Sequence, residues 1–164
     1  MVAVDRLAQL EQVPDDERAL LCTAAYFHDL GFLERWRGHE MVSARIAGES
    51  LAHFGYTRLQ IECVQSLIMV TQLPNHPQTI LEQIIADADL DVLGRDDFWE
   101  RNIALRTEMA IMGMPYTDEA WYAHQVEFIG AHCYYTSSAR ALRDADKARY
   151  LNEVTTRLEV SRTR

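Results

Sequence analysis

Apolar residues recur along this chain at intervals of three and four, the spacing of helices with one buried face. A short first segment carries Val4, Leu7 and Leu10 on one such face. No segment shows the strict apolar–polar alternation of a half-buried strand. The pattern therefore predicts an all-α fold, a compact bundle of about six to eight helices. The main predicted helices cover residues 16–28, 39–54, 57–71, 79–93, 97–112, 118–129 and 138–160.

Polar residues mark where several of these helices begin. Thr57 with Gln60 and Thr79 with Glu82 have the spacing of a capping box, in which each side chain satisfies a backbone N–H of the other. Thr117 stands before the segment rich in aromatic residues and is predicted to cap it. These signals predict short loops between successive helices, as in a single all-α domain over residues 1–164.

Charge and composition limit the partners and the cellular compartment that we expect for this chain. The chain has 164 residues and a net charge of −9, which makes nucleic acid polymers and anionic membranes poor partners. It has no apolar run long enough for a membrane helix and no secretory signal pattern. Its three cysteines are odd in number and widely spaced, so we expect a reducing compartment, the cytoplasm.

The strongest chemical signal is the pair His28 and Asp29 at the end of an apolar helix. At a helix terminus the backbone turns, so both side chains can face one cavity. One interpretation is a helix end whose charge is satisfied by a hydrogen bond. The other is a metal site, because an imidazole nitrogen and a carboxylate oxygen suit Mn, Fe, Co, Ni or Zn better than Ca.

A second acidic cluster follows Ile85, at Asp87, Asp89 and Asp91. On a continuous helix Asp87 and Asp91 share a face, four residues apart, and Asp89 points away. A carboxylate beside an apolar run is costly to bury without a partner, so Asp87 is the predicted ligand. For Asp91 we expect a solvated surface position.

Three segments in order resemble the HD-domain superfamily of metal-dependent phosphohydrolases. Residues 24–31, AAYFHDLG, resemble its AA-x-x-HD-[IL]-G signature, and residues 39–44 resemble its HE-x-x-SA segment. Residues 87–90, DADL, are similar to its distal aspartate motif. The resemblance covers about residues 19–94, with residues 95–164 as a helical C-terminal extension.

The resemblance implies a chemistry and a ligand set. It implies that His28, Asp29 and Asp87 bind one or two divalent ions, with Mn, Mg, Co, Fe, Ni and Zn as candidates. It further implies hydrolysis of a phosphomonoester or nucleotide-type phosphoester by a metal-activated water. The expected partner is therefore a small phosphorylated substrate.

The superfamily's first histidine ligand has no counterpart in this chain. None of the 27 residues before His28 is a histidine. We expect that the chain lacks an N-terminal helix of the family. The alternative is a degenerate HD module that binds a nucleotide or a partner without catalysis. A third interpretation is an all-α interaction domain in which the HD pair is a coincidence.

Residues after the HD pair are candidates for substrate contacts. His39 and Glu40 are predicted to manage protons at the leaving oxygen, with a solvent-facing helix start as the alternative for His39. Arg35 and Arg37 flank Trp36 in the loop and are predicted to neutralise a substrate phosphate, the alternative being solvated loop charges.

The other histidines are weaker candidates. His76 lies between two prolines before the acidic cluster and is a minor candidate for a ligand. His53, His124 and His132 sit in helical patterns and are predicted to be core or surface residues. The aromatic residues of the C-terminal half are compatible with a homodimer.

Overall fold

The all-α prediction is confirmed. The computed structural model describes residues 2–163, and within that range it has eight α-helices, two short 3₁₀ helices and no strand. None of the described helices combines the length and the apolar composition needed to cross a membrane. The α-helices are α1 Val2–Leu10, α2 Asp15–Phe27, α3 His39–His53, α4 Arg58–Met69, α5 Ile80–Asp89, α6 Phe98–Ile111, α7 Asp118–Ala131 and α8 Ser137–Arg162, and the 3₁₀ helices are Leu30–Leu33 and Asp91–Gly94.

The chain divides into two compact units, the first ending at Asp89 and the second beginning at Leu90. In the first unit α3 packs on α4, and α2 contacts α1, α3, α4 and α5. Burial of apolar side chains between these helices is the main force that stabilises the unit. Its most deeply buried apolar residues are Ala8, Leu21, Ala24, Ala47, Val64, Ile68 and Ile84.

In the second unit α7 and α8 pack against each other. The rings of Phe98 and Tyr150 stack with centroids 4.4 Å apart beside the buried Ile129 and Val154. Trp121 is 1% exposed, and its indole N–H donates to the Asn102 side chain at 2.9 Å. The indole therefore lies in the interior with its one polar group satisfied.

The predicted helix starts are confirmed by hydrogen bonds. At the start of α4 the Thr57 hydroxyl accepts from the Gln60 N–H, and the Gln60 side chain accepts from the Thr57 N–H at 2.9 Å. The same reciprocal pair joins Thr79 and Glu82 before α5, at 3.3 and 3.0 Å. Thr117 caps α7. Local polar residues therefore set these boundaries.

One predicted helix is shorter than expected. The sequence pattern predicted a helix from residue 79 to Leu93, but α5 ends at Asp89 and a 3₁₀ helix follows over Asp91–Gly94. The prediction that Asp87 and Asp91 share a helix face is therefore wrong, because the i, i+4 relation holds only within one α-helix. The early end of α5 also changes the direction in which the side chain of Asp89, its last residue, points.

Candidate metal centre

His28 is the centre of the cluster, and the end of α2 orients it. Its backbone N–H donates to the carbonyl of Ala24 at 2.9 Å, as the last bond of the helix. Its ring atom Nδ1 lies 2.9 Å from the carbonyl oxygen of Ala25. A carbonyl oxygen can only accept, so Nδ1 carries the proton in this contact. The other nitrogen, Nε2, is therefore free to accept a proton or a metal ion.

Two carboxylates face Nε2 of His28. Asp29 Oδ2 lies 3.3 Å from it and Asp89 Oδ1 lies 3.2 Å from it. Asp29 reaches the nitrogen because the α-helix has ended and the next 3₁₀ helix begins at Leu30. Asp89 reaches it from the last position of α5. The structure thus joins residues that are 61 positions apart in the chain.

A second histidine lies beside this group. Nε2 of His39 is 3.5 Å from Asp29 Oδ1, and Nδ1 of the same ring is 3.2 Å from the carbonyl oxygen of Trp36. Nδ1 is also 3.6 Å from Glu40 Oε2. The Phe32 ring stacks on the imidazole, with centroids 3.7 Å apart. His39 is therefore held in orientation between two carboxylates.

A glycine sets the distance between the two histidine segments. The N–H of Gly31 donates to the hydroxyl of the buried Ser43 at 2.8 Å. A Cβ atom at residue 31 would overlap the carbonyl of His39. Only glycine permits this close approach, which places the 3₁₀ helix Leu30–Leu33 against the start of α3.

The electrostatics of the cluster reflect its carboxylates. Burial lowers the pKa of His28, but the hydrogen bond and charge of Asp89 and the charge of Asp29 outweigh it and raise the pKa above its usual value. Burial raises the pKa of Asp29; the charges of Asp89 and Glu40 act with it, while His28 and His39 oppose it. The pKa directions of both groups show that the site favours an added positive charge.

The structure places the acidic cluster differently from the sequence prediction. Asp89 was expected to point away from Asp87 and was not a predicted ligand, yet it is the carboxylate that contacts His28. Asp87 is 0% exposed within α5. Its role as a ligand stays a prediction. No local sequence signal indicates Asp89, because the apolar pattern continues past the end of α5.

Asp91 belongs to a different set of contacts. It is 5% exposed, and Arg143 Nε donates to its Oδ1 at 2.6 Å within the second unit. The predicted solvated position is therefore wrong. The sequence carries no local signal for this pair, because its partners are 52 residues apart.

The predicted phosphate-binding arginines are both exposed, and one of them lines the cavity beside His39. Arg37 borders a cavity of about 270 Å³ that His39 and Glu40 also line. Arg35 does not line that cavity. His76 is exposed and borders a separate cavity of about 320 Å³ formed by residues 69–76. The structure thus brings Arg37 close to the histidine cluster and leaves His76 outside it.

The remaining histidines lie outside the cluster. His53 and His124 are exposed, and His53 Nδ1 donates to the carbonyl of Glu49 at 2.8 Å. His132 is partly buried, and Lys147 Nζ lies 3.4 Å from its Nδ1. Burial and the charge of Lys147 lower the pKa of His132 to about 4.

The donor set is the type that binds divalent ions: one imidazole nitrogen and two carboxylates. Ligands on one ion with bonds of about 2.1 Å lie roughly 3.0–3.4 Å apart, which matches the two N···O separations at His28. Within residues 2–163 no group of three or more His, Cys, Asp or Glu side chains is placed so that it could hold a metal ion as it stands. The chain matches no family model, no curated protein and no solved structure.

Proposed function

We propose that this chain is a metal-dependent phosphohydrolase of the HD type, acting on a phosphomonoester or nucleotide-type phosphoester. The supporting observation is the orientation of His28. Its Nδ1 donates a hydrogen bond to the carbonyl of Ala25, and its Nε2 faces Asp29 and Asp89 at 3.3 and 3.2 Å. An Nε2 lone pair facing two carboxylates is repulsive unless a metal ion lies between them or Nε2 itself carries a proton. A backbone carbonyl that accepts from Nδ1 is a usual partner of a histidine whose other ring nitrogen binds a metal.

Each residue of the cluster has a separate role in the proposed reaction. His28, Asp29 and Asp89 hold the cation. When bound, a divalent metal supplies a water acidic enough to act as hydroxide near neutral pH. His39 keeps its Nδ1 proton on the carbonyl of Trp36, so Nε2, beside Asp29, is the nitrogen that takes up a second proton from solvent and passes it to the leaving oxygen. Arg37 supplies positive charge to the phosphate in a protein that is otherwise acidic.

The experiment compares the wild type with His28→Ala and Asp29→Ala. Each protein is purified without added metal, titrated with Mn²⁺ or Co²⁺, and assayed on p-nitrophenyl phosphate and nucleoside monophosphates. We expect both variants to lose at least about tenfold in metal affinity and most of the hydrolysis. Unchanged metal binding and hydrolysis in both variants would show that the site assignment is wrong.

The raised pKa of His28 supports a second candidate. A proton on Nε2 would satisfy Asp29 and Asp89 without a metal, and the module would then bind a phosphorylated ligand or a partner without hydrolysis. The same titration separates the two. A wild-type protein that binds neither Mn²⁺ nor Co²⁺ supports the module that binds without catalysis.

A further inference from the structure

The cavity beside His39 contains a buried carboxylate that the fold leaves incompletely satisfied. Glu40 is 8% exposed and lines this cavity of about 270 Å³. Its Oε2 is the one buried side-chain oxygen or nitrogen of the described residues that lacks a hydrogen-bond partner, and because this atom is itself inaccessible to solvent, a ligand in the cavity reaches it only when the Glu40 side chain turns. Buried polar atoms in native proteins almost always have partners, so an exception at a cavity wall indicates a missing donor.

The neighbouring histidine does not supply that donor. Nδ1 of His39 is 3.6 Å from Glu40 Oε2, beyond hydrogen-bond range, and its proton is directed to the carbonyl of Trp36 at 3.2 Å. A ligand that forms a hydrogen bond with Glu40 Oε2 must therefore carry the N–H or O–H donor itself. A cationic donor is the better match for a buried carboxyl group, because charge-assisted hydrogen bonds are the stronger ones.

The rest of the cavity wall suits a small organic cation. Phe32 and Trp36 line it with ring centroids 5.1 Å apart, and Leu73 adds an aliphatic side chain. Aromatic faces beside a carboxylate are a recurrent arrangement for binding ammonium groups. At about 270 Å³ the cavity is smaller than the pockets that hold drug-sized ligands.

We propose that this cavity binds the ammonium group of a small aminoalkyl phosphate, with Glu40 as its acceptor and Phe32 and Trp36 against its carbon chain. The inference rests on the proposed function, since the phosphate is assigned to the adjoining cluster at Asp29 and to Arg37 at the cavity wall. Phosphate and ammonium thus have separate recognition groups, with His39 between them. This would make the leaving group an amino alcohol.

The test uses three probes of similar size: ethanolamine phosphate, 2-hydroxyethyl phosphate and ethyl phosphate. Binding to the wild-type protein is measured by calorimetry, with and without Mn²⁺. We expect ethanolamine phosphate to bind about tenfold or more tightly than either other probe, the effect of one charge-assisted hydrogen bond. Equal affinity for 2-hydroxyethyl phosphate would overturn the ammonium assignment, and equal affinity for all three would overturn the pocket.

Two variants test whether Glu40 is responsible for the preference for ethanolamine phosphate. In Glu40→Gln the ratio of the affinities for ethanolamine phosphate and ethyl phosphate should fall to about one. Glu34→Gln is the matched control, because Glu34 is an exposed carboxylate six residues earlier in the chain that pairs with Arg45 and does not line the cavity. A ratio that survives in Glu40→Gln, or falls equally in both variants, contradicts the proposal. Circular dichroism and melting curves establish that both variants fold.

The two proposals can fail separately. Ethanolamine without phosphate is titrated against the metal-free protein as a probe of the pocket alone. Binding that is lost in Glu40→Gln supports the pocket even if no phosphate ester is hydrolysed. Hydrolysis of p-nitrophenyl phosphate with no preference for amines supports the phosphohydrolase and contradicts this inference.

Discussion

The two nitrogens of His28 have different partners, and this difference carries most of the functional argument. Nδ1 faces the carbonyl of Ala25, and Nε2 faces Asp29 and Asp89. The sequence motif selects His28 and Asp29, which are neighbours in the chain, and the structure places their side chains 3.3 Å apart. The motif was not sufficient to choose among the distal aspartates, because that choice depends on where α5 ends.

Substitution of single aspartates tests that choice. We expect Asp89→Asn to weaken Mn²⁺ binding by about tenfold or more, since it removes a charged oxygen next to His28. Asp91→Asn should leave metal affinity unchanged, because Asp91 binds Arg143 instead. Competition with a chromogenic chelator measures all variants, including Asp87→Asn. If Asp87→Asn loses the metal and Asp89→Asn keeps it, the original sequence prediction was right.

His132 provides a test of pH dependence away from the cluster. In the unfolded chain its pKa is near 6.5, and in the fold burial and Lys147 lower the pKa to about 4. As pH falls from 6.5 towards 4, the unfolded chain gains a proton that the fold excludes, so stability is lost over this window. We expect His132→Gln to lose less stability than the wild type between pH 7 and 4.5 in urea titrations.

The matched control for that experiment is His53→Gln, at an exposed histidine. It measures what the loss of a solvent-exposed histidine does by itself. If His132→Gln follows the wild type, His132 is protonated in the folded protein at a higher pH than its surroundings indicate.

At the level of elements, local signals decided what the sequence could predict. The capping residues Thr57 and Thr79 form the expected bonds within three residues, so the starts of α4 and α5 were predictable. The 3₁₀ helix at Asp91–Gly94 was not, because an unbroken apolar pattern hides a change in helix type. The contact of Gly31 with the start of α3 was also hidden, since it depends on the approach of two elements.

Two glycine substitutions separate packing from helix propensity. Gly31→Ala forces Cβ against the backbone of His39, so we expect a loss of about 2 kcal/mol or more in the free energy of unfolding. Gly130→Ala adds a Cβ that meets nothing within 4 Å inside α7, so we expect a gain of about 0.5 kcal/mol. Denaturant titrations measure both. Tolerance of Gly31→Ala would mean that the two segments do not need this close approach.

At the scale of the whole molecule, the all-α class follows from periodicity along nearly every segment, whereas the site needs contacts across 61 residues. The net charge of −9 predicts weak binding to nucleic acid polymers. Part of that negative charge is concentrated in the carboxylates beside His28. Asp29 and Asp89 lie together in the first unit, where a divalent ion would offset their mutual repulsion. Metal binding should therefore be visible in the stability of the protein.

Thermal unfolding at increasing Mn²⁺ concentration tests this coupling. A ligand that binds only the folded state at 100 times its Kd adds about 2.7 kcal/mol, which raises the melting temperature by roughly 5–10 °C in a chain of this size. Each further tenfold increase adds about 1.4 kcal/mol, so the shift should be linear in the logarithm of metal concentration. His28→Ala should abolish the shift in melting temperature. Asp91→Asn should show the same shift, but its melting temperature without metal should be lower, because the substitution removes the ion pair with Arg143. An equal shift in His28→Ala would mean that Mn²⁺ acts on the acidic surface in general rather than at this cluster.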